Sequence, residues 1–191
     1  MADVLDDYRA QFVAGTHRQD LREEQTELVV RASVPDPVTS YGDVVSFAAA
    51  DALWIQTYSL SANLGPGNPG SQLDCRKGTR AFFGFTAGDV LPNTTFGSVY
   101  IQASGHQPTE RTLRFGDNQM DKINLPLPGI DGPATYDNAF LLFERSGYYG
   151  DVPLFRLSVL DEEGLRRRRD VVRRVLDFEL HGGRQYGLLF Y

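Results

Sequence analysis

Six arginines crowd into nine residues in the run Leu165-Arg166-Arg167-Arg168-Arg169-Asp170-Val171-Val172-Arg173-Arg174-Val175-Leu176. A guanidinium holds its charge at any working pH and pairs two-pronged with phosphate or carboxylate, so such a run is suited to gripping an anion. Wound as one helix, the segment puts Leu165, Val172, Val175 and Leu176 on one face, with Arg168 and Arg169 on its flanks. Arg166, Arg167, Arg173 and Arg174 are then left for a partner: DNA, RNA or an acidic protein surface. A solvated charged helix explains the same residues. Asp161, Glu162 and Glu163 stand at its start and the bases near its end, as the helix dipole favours, and Asp170 sits four residues from both Arg166 and Arg174. Both readings stay open at the level of sequence.

Other chemistry-bearing residues are sparse. Tyr148 and Tyr149, bracketed by Gly147 and Gly150, are expected at the tip of a hairpin. There they can stack on bases, anchor a protein interface, or fold back as a lid over the core. His17, His106 and His181 fall in separate segments without the spacing of a zinc site, so no metal is assigned. Cys75 precedes Arg76 and Lys77, cations that would lower a thiol pKa, but no histidine is near it in sequence; the alternative is a small apolar residue at a strand edge. The acids Asp74 and Asp121 lie close to Lys77 and Lys122, which invites comparison with metal-dependent nucleases. Neither lysine, however, has an acid two positions before it. Phosphate-binding glycine loops, dinucleotide fingerprints and nucleophile elbows are missing as well. No catalytic residue and no cofactor is assigned, and an enzyme whose site gathers residues distant in sequence stays open.

The elements that must position these residues follow from length and pattern. A chain of 191 residues with 41% hydrophobic and 23% charged residues can bury roughly two-thirds of its unfolded surface in one core, so a single β-rich domain over 1–191 is expected. A net charge of −6 argues against non-specific nucleic-acid binding by the whole chain and leaves a local patch as the alternative. One cysteine rules out an internal disulfide framework and fits a reducing compartment. The acidic start, with no apolar run of about 18 residues, predicts neither a signal sequence nor a membrane span, and hence a cytoplasmic or virion-associated protein.

Val4, Leu5, Tyr8, Phe12 and Val13 predict a helical segment within 1–20. Beyond Glu27, short apolar or alternating runs divided by Gly, Pro, Asn and Asp predict strands at Glu27–Ser33, Asp43–Ala48, Leu53–Ser59, Thr79–Phe85, Phe96–Ala103, Arg111–Phe115, Lys122–Leu127, Asn138–Glu144, Leu154–Leu160, Val175–Leu180 and Tyr186–Tyr191. The stretch 63–71 is too rich in Gly, Pro and Asn for regular structure and reads as a loop. The strongest hairpin joins Ala139–Phe143 to Leu154–Leu160 through Ser146–Asp151. The fold class is therefore mainly β, a single-domain β-barrel or β-sandwich with an N-terminal helix and one Arg-rich helix near the C-terminus.

The segment Asp121-Lys122-Ile123-Asn124-Leu125-Pro126-Leu127-Pro128, followed by the hairpin and by Gly182-Gly183-Arg184-Gln185-Tyr186-Gly187, resembles the C-terminal recognition barrel of restriction endonucleases of the phospholipase-D type. Those barrels are similar to the B3 fold. The resemblance covers the second half of the chain and lacks the HxK nuclease motif, so it implies a DNA-recognition component without cutting machinery. The sequence reading is thus a non-catalytic recognition module for an anionic partner, nucleic acid first. The alternative is a structural or assembly protein, such as a virion or tail component, making subunit contacts, with a homo-oligomer as one form of it.

Overall fold

The computed structural model describes residues 41–60, 64–65, 68–69, 71–180 and 183–191. The helical segment expected within 1–20, the strand expected at Glu27–Ser33, and His17 and His181 lie outside the described residues. In chain order the elements are helix α1 (Tyr41–Ala49), strands β1 (Ala52–Gln56), β2 (Leu64–Gly65), β3 (Asn68–Pro69) and β4 (Gln72–Cys75), a 3-10 turn at Thr79–Ala81, then β5 (Thr95–Ala103), β6 (Thr109–Phe115), β7 (Asp121–Asn124), β8 (Phe140–Tyr149), β9 (Val152–Leu160), α2 (Glu162–Arg169), β10 (Arg174–Glu179) and β11 (Gln185–Phe190). The protein is mainly β: among the described residues nine strands form one sheet, in the order β10-β11-β1-β8-β9-β5-β6-β7-β4, that curls into a half-barrel. Every pairing is antiparallel except β5 with β9. Inside the predicted loop, β2 and β3 make a minimal hairpin of their own.

Alternation along the strands sorts residues onto two faces. Leu53, Ile55, Leu141, Phe143, Phe155, Leu157, Val99, Ile101, Leu113 and Ile123 point into the concave side and form the main core. Phe82 and Phe83 fill its centre, with Phe83 at 4.9 Å from Phe155 and 5.5 Å from Phe143 between ring centroids. The interior of the half-barrel is thus packed with side chains. On the convex side Ala52, Trp54, Leu142 and Leu189 form a smaller cluster capped by Leu165 of α2. Because β1 is covered on both faces, its pattern is continuous burial rather than alternation.

Two expected strands are other structures. Asp43–Ala48 belongs to α1, whose Val44, Phe47 and Ala48 recur at helical spacing and enter the core. A short apolar run such as VVSFAA satisfies either period, and only its packing partners decide. Arg145 then holds the end of α1: its Nε donates to the Ala50 carbonyl at 2.8 Å and its Nη2 to that of Ala48 at 3.0 Å, while the guanidinium lies 4.7 Å from the centre of the Phe82 ring. Burial lowers the Arg145 pKa, as the cost of a charge placed among carbonyls and rings.

Thr79–Phe85 is a 3-10 turn and the loop after it, preceded by Gly78 and broken at Gly84, both at positive φ. Its anchor is Arg80, fully buried, whose Nη1 meets Asp121 Oδ1 at 2.7 Å. Asp121 Oδ2 accepts the backbone N–H groups of Gly78 and Arg80, each at 2.9 Å, and the remaining guanidinium donors reach the carbonyls of Thr86 and Gly88. Burial pushes the Asp121 carboxyl up, against the opposing pull of Arg80 and the two N–H groups. Strand β4, not among the predicted strands, pairs with β7 directly beside this knot.

Side chains tie β4 and the loop after it to the β11 side of the sheet. Arg184, just before β11, donates to the Asp74 carbonyl of β4, and Arg76 Nη1 donates to the Tyr186 hydroxyl at 3.0 Å. Among the described residues no helix is long and apolar enough to cross a membrane.

Candidate functional site

Helix α2 starts where Asp161, in extended conformation, accepts the Gly164 N–H at 2.7 Å. Leu165 is its one buried residue, set on Trp54 and Leu142. The helix ends at Arg169, and the expected continuation to Leu176 is overturned. Val171 and Val172 are β-branched, the arginine run supplies no second apolar face, and Val175 and Leu176 find a ladder with Leu189 and Leu188 of β11. Arg173 and Arg174 therefore leave the helix and stand at the entry to β10.

The arginines have separate fates. Arg166 grips Glu163 with two nitrogens, at 2.7 and 2.8 Å, and Asp170 with the third at 3.0 Å; Arg167 Nε meets Glu163 at 2.9 Å. These two side chains remain 62% and 73% exposed. Their pull holds the Glu163 carboxyl below the usual range, Arg166 contributing most. Arg168 reaches Glu144 of β8 at 3.2 Å, and Arg169 reaches Asp177 at 2.6 Å while lying 5.6 Å from the Trp54 ring centre. Arg173 and Arg174 make no ion pair among the described residues; Arg174 covers the Phe190 ring at 5.2 Å. The four-residue pairing of Asp170 expected with both neighbours holds for Arg166 alone.

The tyrosines stand at the hairpin tip, as expected, on the last two positions of β8. Strand β8 runs through to Tyr149, which faces Val152 across a two-residue turn opened by Gly150 at φ 62°, and a bulge between Arg145 and Tyr148 absorbs the remaining residues. Neither ring closes over the core: Tyr148 is 62% and Tyr149 53% exposed, and Tyr149 packs on Tyr100 at 4.6 Å. Across from Glu144, where α2 docks, and from Tyr148 stand Arg156 and Pro153, three positions apart on β9, so at roughly 3.3 Å per residue the two sites are about 10 Å apart along the sheet. The arginines and the tyrosines form two separate surfaces.

The alternative chemistry dissolves in the structure. Cys75 is buried on the concave side and desolvation pushes its thiol up, against the opposing pull of Arg184; the nearby cations do not activate it. It fills the role of a small apolar residue at the edge strand. Asp74 pairs with Lys122 at 3.0 Å on the convex face of β4 and β7, whereas Asp121 turns inward to Arg80. The two carboxylates thus sit on opposite faces and share no metal. Lys77 is taken by Asp89 at 2.8 Å. His106 lies in the turn between β5 and β6, and no group of three His, Cys, Asp or Glu suited to a metal occurs among the described residues. The Arg80–Asp121 knot and the Arg184 and Arg145 caps escaped the sequence reading because their partners lie far apart in the chain and carry no motif.

Compared with known proteins, the chain matches no family model, and the search of curated proteins finds no significant match.

Proposed function

We propose that the protein is a non-catalytic recognition module that binds nucleic acid through the convex surface around α2, with Arg166 and Arg167 as the principal contacts and Arg173 extending the positive rim. The observation that carries this reading is the exposure of Arg166 and Arg167, tied only to carboxylates that are themselves on the surface. Surface ion pairs contribute about 0–1 kcal/mol, so a phosphate can take over these guanidinium groups at little cost. Arg173, which has no ion-pair partner among the described residues, needs no such release. The resemblance of the Ile123–Leu127 segment to DNA-recognition barrels supports the same class of partner.

The test is fluorescence anisotropy with short labelled duplexes and single strands at several salt concentrations. On a duplex, removing one arginine–phosphate pair lowers the log–log salt slope by roughly 0.9, so Arg166→Ala with Arg167→Ala is expected to flatten it by about 2. Affinity independent of salt, or capture of acidic proteins with no affinity for either nucleic acid, would overturn the proposal. The second reading, an assembly protein, is favoured by one feature: among the described residues β10 ends the sheet and bonds to β11 alone.

A further inference from the structure

The two edges of the sheet are treated differently. On β4 the Asp74 carbonyl is taken by Arg184, and the strand is only four residues long. Strand β10 has six residues, no proline, and no partner on its outer side among the described residues. Its Leu176 and Phe178 are only half-buried at the margin of the concave core. An edge of this kind is a template for another strand.

The charges along it are polarised. Arg173 and Arg174 stand at its start, and Asp177 and Glu179 at its end. Neither Arg173 nor Glu179 has an ion-pair partner among the described residues. A strand positive at one end and negative at the other is complementary to its own antiparallel copy. Paired residues in a sheet share a face, so a twofold axis must join positions of the same parity. Centring on Leu176 sets Arg173 against Glu179, Arg174 against Phe178, and Leu176 against itself. Moving the axis to Asp177 would oppose two carboxylates, and moving it to Val175 would set Arg173 against an Asp177 that Arg169 already holds.

We infer that β10 is a homotypic interface: two copies pair antiparallel about Leu176, continuing the nine-stranded sheet across the twofold. Pairing through β10 does not depend on nucleic-acid binding. It is tested by sedimentation velocity without nucleic acid, from micromolar to near-millimolar protein. The full chain is expected to pass from monomer to dimer as concentration rises. Arg173→Glu and Glu179→Arg should each stay monomeric, since each opposes like charges in its own dimer. Mixed in equal amounts, the two variants restore both pairs and should regain the mass of a dimer. A wild-type chain that is monomeric throughout, as when its own residues cover the edge, overturns the inference. So does a dimer indifferent to Arg173→Glu, or a mixture that stays monomeric.

Discussion

Replacing Asp121 with alanine isolates the one fully buried ion pair among the described residues. The substitution removes the 2.7 Å contact to Arg80 Nη1 and the acceptor of two backbone N–H groups at 2.9 Å. Arg80 keeps the Thr86 and Gly88 carbonyls and the Phe96 ring at 4.5 Å, but its charge is left in the core without a counter-ion. Breaking a buried pair from one side costs about 3–5 kcal/mol, because the stranded charge carries its full desolvation penalty. In a chain of this size each kcal/mol moves Tm by roughly 2–4 °C, so a fall of about 6–20 °C is expected. Urea unfolding followed through Trp54, the only tryptophan and a buried one, gives the free energy directly. Asp121→Asn, whose amide oxygen in the place of Oδ2 still accepts both backbone N–H groups, should lose less. A loss below about 1 kcal/mol for Asp121→Ala would refute the reasoning, for it would mean that solvent already reaches Arg80.

Gly187→Ala is expected to destabilise by about 1–3 kcal/mol, by overpacking: the new methyl would meet Trp54 Nε1 at 2.5 Å and the Leu176 carbonyl at 2.6 Å, both held in place. The same urea titration checks it. The Tyr191 phenol is pushed up to about 12 by burial and by its hydrogen bond to Glu144. Its folded pKa lies above the unfolded value of about 10, so its contribution is complete below pH 10 and disappears as pH rises towards 12. A denaturation series over that window should show stability lost in Tyr191→Phe at neutral pH and a shallower alkaline decline than in the wild type.

What the sequence made legible was whatever depends on near neighbours. The β8–β9 hairpin, β5, β6 and the final strand declare themselves by alternation and by glycine-marked turns, and so does the mainly β class. The sheet order does not, because nothing local says that β1 lies between β8 and β11. At Asp43–Ala48 local signals failed because a helix and a strand both fit, and at Thr79–Phe85 because an ion pair formed with a residue 41 positions away fixes the backbone. The arginine run was legible as charge. Its division into an eight-residue helix and a strand entry was not, since the β11 ladder claims Val175 and Leu176. Local acids also neutralise Arg166 and Arg167 in place, as the dipole reading of that helix allowed.

The position of β1 governs the order in which this fold can be completed. Strands β4 to β7 come from one continuous stretch of chain, β5, β6 and β7 joined by neighbouring turns and β4 laid against β7, so they can assemble as soon as that stretch is made. Strand β1 is synthesised before them, yet its two partners are β8 and β11, the latter ending at Phe190. Until β8 is made Leu53, Trp54 and Ile55 have no ladder, and one side of β1 stays open until β11 follows. Such high contact order makes closure slow and leaves the nascent chain dependent on protection of this one strand. Trp54, opposite Leu142 on one side and Gly187 on the other, is seated last.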